Sequence, residues 1–188
     1  VPGMYTSKLT ADGEGMEQIV ELKADPRWES TTQDLQAQFD LGVAVRDTLT
    51  AVHDLIRTIR SVRTQVKEIA RRSEKAEYHV KLGSDCQELS DKLTALEEKL
   101  IQTRSESSQD PINYPVKLDN QYSYLYTVVH SQDAYPTQGC YERFDDLNAK
   151  LAYHRLQFSS LLQKDIQAFE EIIESAGIPR LILSTSSR

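Results

Sequence analysis

The sequence predicts a mainly α-helical fold, an up-down bundle of four helices, two of them long, preceded by a short β-hairpin. Three features of the 188-residue chain carry this prediction. From about residue 31 onward, apolar residues recur at steps of three and four, which is the period of an amphipathic helix. Before residue 25 they alternate with polar residues, as in a strand with one buried face. A proline and several helix-capping residues separate the two patterns.

Residues 1–24 are predicted to form the hairpin. Asp12-Gly13 tolerates positive φ angles, which a tight turn between antiparallel strands requires. On the apolar faces of the two strands the pattern places Tyr5, Leu9, Met16, Val20 and Leu22. A lone two-stranded hairpin is only marginally stable in water, so these strands either pack on the helices or belong to a larger sheet. We favour the second alternative, in which they are the last two strands of a β-sandwich.

Residues 25–30 are predicted to be a rigid joint between the hairpin and the first helix. Pro26 ends the second strand, and Ser30 or Thr31 can cap a helix whose first turn contains Asp34. The apolar stripe that follows includes Leu35, Phe39, Gly42, Val45, Leu49, Val52, Ile56, Ile59, Val62, Val66 and Ile69. A stripe of this length predicts one helix of about 40 residues, roughly 60 Å long.

Three more helices complete a bundle predicted to span residues 31–178. The second is about 20 residues long and repeats apolar residues at heptad spacing from Cys86 to Leu100. A polar loop with two prolines, 103–115, leads to a third helix of about 13 residues, and a fourth of about 38 residues stops at Gly177. Neighbouring helices are expected to run antiparallel, with the two long ones as the spine. Residues 179–188 are predicted to be a tail.

The charge and hydropathy of the chain argue against two classes of partner. With a net charge of −7 and a pI near 5.2, the chain lacks the excess of Lys and Arg that nucleic acids or anionic membranes attract. No apolar run approaches the roughly 20 residues that span a bilayer, so no membrane insertion is expected. A basic ridge on the first helix consists of Arg57, Arg60, Arg63, Lys67 and Arg71. We expect these basic side chains to form salt bridges with acidic residues of the bundle or to be solvated.

No catalytic, cofactor-binding or metal-binding residues are predicted. The four histidines are scattered, and His154, on the fourth helix stripe, is interpreted as a core or seam residue. The carboxylate pairs Asp145-Asp146 and Glu170-Glu171 are expected to lie on solvated faces, because a bundle core filled by Leu, Ile and Phe leaves no cleft for acid and base catalysis.

Tyrosines and cysteines are the remaining candidate site residues. Tyr114, Tyr122, Tyr126 and Tyr135 crowd around the loop and third helix. They are candidate interface residues, because tyrosine buries a large area at low entropic cost, or they seal the third helix onto the long ones. Strictly alternating helix directions would bring Cys86 and Cys140 to the same end of the bundle, which leaves a disulfide between them open.

Six segments of the chain resemble one known family. They are PGMYT (2–6), LTADG (9–13), DPR (25–27), DLQAQFDL (34–41), DPINYP (110–115) and VHSQDAYPT (129–137). They resemble the C-terminal part of large bacterial secreted proteins with BNR or sortilin-like β-propeller repeats, often labelled glycosyl hydrolases or sialidase-like. The resemblance covers nearly the whole chain, but its motifs are structural and carry no active-site residue.

The resemblance implies a secreted or periplasmic parent protein in which propellers come first, an Ig-like sandwich follows and a helical segment closes the chain. Upstream domains of the same polypeptide are then the expected partners. We therefore expect a non-catalytic C-terminal module that packs against or braces those domains; whether the parent is an enzyme stays open. The alternative is a self-standing interaction or dimerisation bundle, whose first and fourth helices present a seam to another protein or a second copy. A glycoside hydrolase using Asp145 and Asp146 ranks third.

Overall fold

The computed structural model describes residues 1–73, 79–107, 109–175, 177–178 and 181–182. It confirms a mainly α-helical bundle preceded by a hairpin. The strands are β1 (Gly3–Ala11) and β2 (Glu14–Leu22), and the helices are α1 (Thr32–Ser73), α2 (His79–Leu100), α3 (Leu118–Val129), α4 (Gln138–Leu161) and α5 (Gln167–Ser175). A π-helical turn, Leu162–Ile166, joins α4 to α5, so the fourth predicted helix is one helical rod with a local bulge. Most of the predicted tail lies outside the described residues.

Strands β1 and β2 form a two-stranded antiparallel sheet. Asp12 and Gly13 have φ angles of 52° and 86°, so the turn has the backbone that the Asp-Gly pair predicts. Ala11 pairs with Glu14 beside the turn, and the register continues without a bulge to Gly3 opposite Leu22. All residues of both strands are exposed, on both faces of the sheet.

Helix α1 is the axis of the helical part. Its apolar stripe is buried along most of its length, and Val45, Val52, Ile59, Val62 and Val66 have no exposed surface. The stripe packs chiefly against α2 and α3. Each fully buried side chain of this size contributes about 1.5–3 kcal/mol, so this one stripe is the main source of cohesion in the bundle.

Helices α2 and α3 lie one after the other along α1. Arg60 and Arg63 of α1 contact Glu97 and Thr94 of α2, which makes these two helices antiparallel. Gln38, near the start of α1, bonds to the end of α3, so α3 also runs antiparallel to α1 and continues in the direction of α2. Helix α4 then returns along α3. The helices that pack together at these interfaces therefore run antiparallel, as the sequence predicts. Helices α2 and α3, however, run in the same direction, whereas the sequence predicts alternation.

This order of directions corrects the geometry behind the open disulfide. Cys86 lies opposite the last turns of α1. Cys140 lies beside Tyr141, whose pKa is raised by burial and also by nearby groups that include Asp40. Because Asp40 is near the start of α1, Cys140 lies at that end of the helix. About 30 helical residues, or about 45 Å, separate these two levels, far beyond the Cα separation of a disulfide. Both cysteines are buried free thiols. Burial raises the pKa of Cys86 to about 11, which keeps that thiol protonated and unreactive.

A buried carboxylate joins α2 to α1. Glu97 is 1% exposed and lies on the α2 face that also buries Leu93, Leu96 and Leu100. Its Oε1 accepts a hydrogen bond from Nε of Arg60 at 2.5 Å, and its Oε2 lies against the guanidinium of Arg63 without a well-aligned hydrogen bond. Part of the predicted basic ridge is therefore neutralised inside the bundle.

Removal of Arg63 is expected to destabilise the protein more than removal of Arg57, one residue of the same ridge. Arg63→Ala leaves Glu97 buried with only the half-exposed Arg60, and such a loss costs about 3 kcal/mol. Arg57→Ala breaks only an exposed pair with Asp54, worth less than about 1 kcal/mol. Urea unfolding of the two variants measures the difference. Equal losses would show that the Glu97 contact does not hold α1 and α2 together.

Candidate functional site: the exposed hairpin and its joint

The hairpin has one apolar face, and that face is open to solvent. Because directly paired residues share a face, the register brings the five predicted apolar residues together on one side. Their exposed fractions are 49% for Tyr5, 60% for Leu9, 66% for Met16, 46% for Val20 and 51% for Leu22. We call this set the hairpin face. All five side chains are about half exposed or more, so the hairpin carries an apolar patch open to solvent.

A short turn fixes the direction in which the chain leaves the hairpin. The carboxylate of Asp25 accepts hydrogen bonds from the backbone N–H and the guanidinium of Arg27, at 2.6–3.2 Å. The bonds from the Arg27 side chain, and to a smaller extent the bond from its backbone N–H, lower the pKa of Asp25. The backbone carbonyl of Asp25 accepts a further bond from the N–H of Trp28 at 3.2 Å. The turn around Pro26 is thus closed by local hydrogen bonds, as a rigid joint requires.

Helix α1 begins immediately after the joint with a reciprocal cap. The N–H of Asp34 donates to Oγ1 of Thr31 at 3.1 Å, and the N–H of Thr31 donates to the carboxylate of Asp34 at 2.8 Å. Thr31 is therefore the cap, one of the two residues that the sequence offers. Bonds from the Thr31 hydroxyl and N–H lower the pKa of Asp34.

Three contacts tie this start of α1 to the end of α3 and the turn beyond it. The hydroxyl of Ser30 donates to the carbonyl of Asp133. Nε2 of buried Gln38 donates to the carbonyls of Val129 and Gln132 at 2.8 and 2.6 Å. Gly42 lets the ring of His130 approach, because a Cβ there would lie 2.8 Å from its Nε2. Ser30 of the joint is thereby bonded to the turn after α3, and the start of α1 to the end of α3.

A cleft of about 300 Å³ lies where the hairpin meets this anchor. Leu22 of the hairpin face lines it together with Trp28 of the joint and Phe39 of α1. Trp28 and Phe39 are 54% and 51% exposed. The predicted stripe placed Phe39 in the core, which is wrong, since its ring borders this open cleft. The apolar surface therefore continues from the hairpin across the joint to α1.

The four candidate tyrosines do not form one surface. Tyr122 is completely buried, its hydroxyl donates to Asn148 at 2.9 Å, and burial raises its pKa to about 12. Tyr122 therefore seals the third helix onto its neighbours and is not available to a partner. Tyr114 is half-buried, Tyr126 stacks on His130 with ring centres 4.2 Å apart, and Tyr135 is 57% exposed.

The other polar candidates occupy ordinary structural positions. His154 is half-buried, and its Nδ1 contacts Oε1 of Gln157 at 3.0 Å. Asp145 and Asp146 are exposed. Within the described part of the chain, no group of three or more His, Cys, Asp or Glu side chains is placed to hold a metal ion. None of the described helices is long and apolar enough to cross a membrane.

Comparison of the chain with protein-family models, with curated proteins and with solved structures finds no match. Among the described residues, we take the hairpin face and the joint as the candidate site. Sequence periodicity identified the hairpin face but missed Trp28 and Phe39. The single Trp of the chain, two residues after Pro26, was the available signal, because tryptophan is enriched where surfaces dock.

The cap predicts a pH dependence of stability that one carboxylate carries. The pKa of Asp34 is lower in the folded chain than its ordinary value of 3.8, so its contribution is complete above that value and is lost as the pH falls through the lowered pKa. Asp34→Ala should therefore unfold at a lower temperature than the parent at pH 7, and the difference should shrink below about pH 4. Asp40→Ala, farther along α1, is the control, and calorimetry from pH 2 to 7 is the measurement. A difference that does not change with pH would contradict the cap.

Proposed function

We propose that the chain is a non-catalytic helical module that docks through the hairpin face on a β-domain of the same polypeptide and fixes its orientation. The observation that carries the proposal is the open apolar face of a sheet that has only two strands. Burying five half-exposed apolar side chains is worth roughly 5 kcal/mol, so a cover over this face would be favourable.

The joint supports the bracing part of the proposal. Asp25, Arg27 and Thr31 hold the strand-to-helix turn, while Ser30 and Gln38 fasten it to the end of α3. A domain that covers the hairpin and touches Trp28 and Phe39 would therefore take up one orientation relative to the helices. The resemblance to propeller-containing secreted proteins supports the identity of that domain as an upstream sandwich or propeller, and a secreted or periplasmic location.

Binding in trans tests this proposal. Residues 1–188 are mixed with the polypeptide segment encoded directly before Val1, and binding is measured by titration calorimetry. Leu9→Lys places a charge in the hairpin face and should weaken binding at least tenfold. Ile19→Lys places the same charge on the opposite face of the sheet, in β2, and should change binding less than about twofold.

Both variants should fold like the parent, because surface substitutions usually change stability by less than about 0.5 kcal/mol. Equal loss of binding in the two variants, or no binding by the parent chain, would overturn the docking role.

A groove between α1 and α4 favours the second function, a self-standing dimerisation bundle. It has a volume of about 800 Å³ and is lined by Ala51 of α1 and by Leu151, Ala152 and Leu156 of α4. Leu156 is 71% exposed. A homodimer in sedimentation that dissociates in Leu156→Lys and ignores the upstream segment would favour this function over the first.

A further inference from the structure

The turn of the hairpin determines which backbone groups point outward. In a two-residue hairpin the residues that flank the turn exchange both hydrogen bonds, so Ala11 and Glu14 form a hydrogen-bonded pair. Bonded and non-bonded pairs alternate from there along the unbroken register. The backbone N–H and C=O groups that point away from the partner strand are those of Met4, Thr6, Lys8 and Thr10 in β1, and of Gly15, Glu17, Ile19 and Glu21 in β2.

Each strand therefore presents a free edge with four N–H and four C=O groups. No described residue pairs with either edge, because the sheet has two strands only. Such an edge is a template for another strand, which repeats these groups at the same spacing and can bond to all of them.

The two edges differ in charge and composition. The outward-pointing positions of β2 include two glutamates, Glu17 and Glu21, and one glycine; Glu21 pairs with Lys23 just beyond the strand at 3.3 Å. Strand β1 carries a single charge, Lys8, which pairs across the sheet with Glu17 at 3.5 Å. Its remaining edge positions are Met and Thr, and a Tyr lies between them. Charges on an edge oppose strand addition, whereas Thr and Tyr favour it.

We propose that β1 is the docking edge: a strand of the neighbouring β-sheet pairs with β1, and β2 becomes the outer edge of the joint sheet. This inference rests on the proposed function and specifies its partner as an extended, largely uncharged strand. Pairing at β1 also extends the hairpin face, so a second layer of the same neighbour can cover Tyr5 and Leu9 while the added strand satisfies the edge.

Proline substitution at one cross-strand pair tests the choice of edge. Thr6 and Ile19 face each other in a non-bonded pair, so proline at either position removes one outward N–H and leaves the ladder of the hairpin intact. Circular dichroism and thermal unfolding of both variants establish that each is folded. Binding to the segment encoded directly before Val1 is then measured by titration calorimetry, as for the face variants.

We expect Thr6→Pro to weaken binding at least tenfold and Ile19→Pro to change it less than about threefold. Binding that Ile19→Pro weakens and Thr6→Pro spares would overturn the choice of edge while leaving the docking role in place. Equal effects, or none, would show that the face alone carries docking and that no strand is added. If the parent chain does not bind, the proposed function fails together with the inference. Self-association lost in Thr6→Pro would identify a second copy as the occupant and overturn the assignment to a neighbouring domain.

Discussion

Burial of one apolar stripe, that of α1, is the interaction on which the helical part depends. Helices α2 and α3 each cover only part of this stripe, and α4 packs onto them. Helix α3, with 12 residues, is too short to be stable alone in water, so it depends on packing against α1 and α4. The buried pairing of Glu97 with Arg60 and Arg63 then sets the register of α2 on this axis.

The hairpin is not part of this helical core. It shares no buried core with α1, yet the chain between them is closely tied by hydrogen bonds at Asp25, Thr31 and Gln38. A sheet with an open face and open edges beside a hydrogen-bonded joint is uncommon in a self-sufficient domain, since exposed apolar faces and unprotected edges promote association. The same combination is what a docking element requires, because a fixed joint lowers the entropic cost of binding.

Much of this fold could be predicted from the sequence, because its elements have strong periodic signals. The long stripe predicted α1 almost to its ends, and Asp12-Gly13 predicted the turn. The common direction of α2 and α3 was not predictable, since helical periodicity carries no information on how the loop between them folds. For the same reason the stripe could not show that Phe39 lies beyond the cover of the other helices, or that Tyr122 is sealed inside. The apolar face of the hairpin followed from alternation, but its edge preference needed the register.

Amide hydrogen exchange of the isolated chain tests the central claim most directly. That claim is that the hairpin needs a docking partner to be stable, whereas the helices are stable without one. The bonded amides of Tyr5, Leu9 and Val20 are compared with those of Val52 and Val62 in α1. The account predicts that the hairpin amides exchange at least about 100-fold faster, because a two-stranded sheet without a packed face opens locally. Protection of the hairpin equal to that of α1 would contradict the account, since it would show a sheet that is stable without a partner.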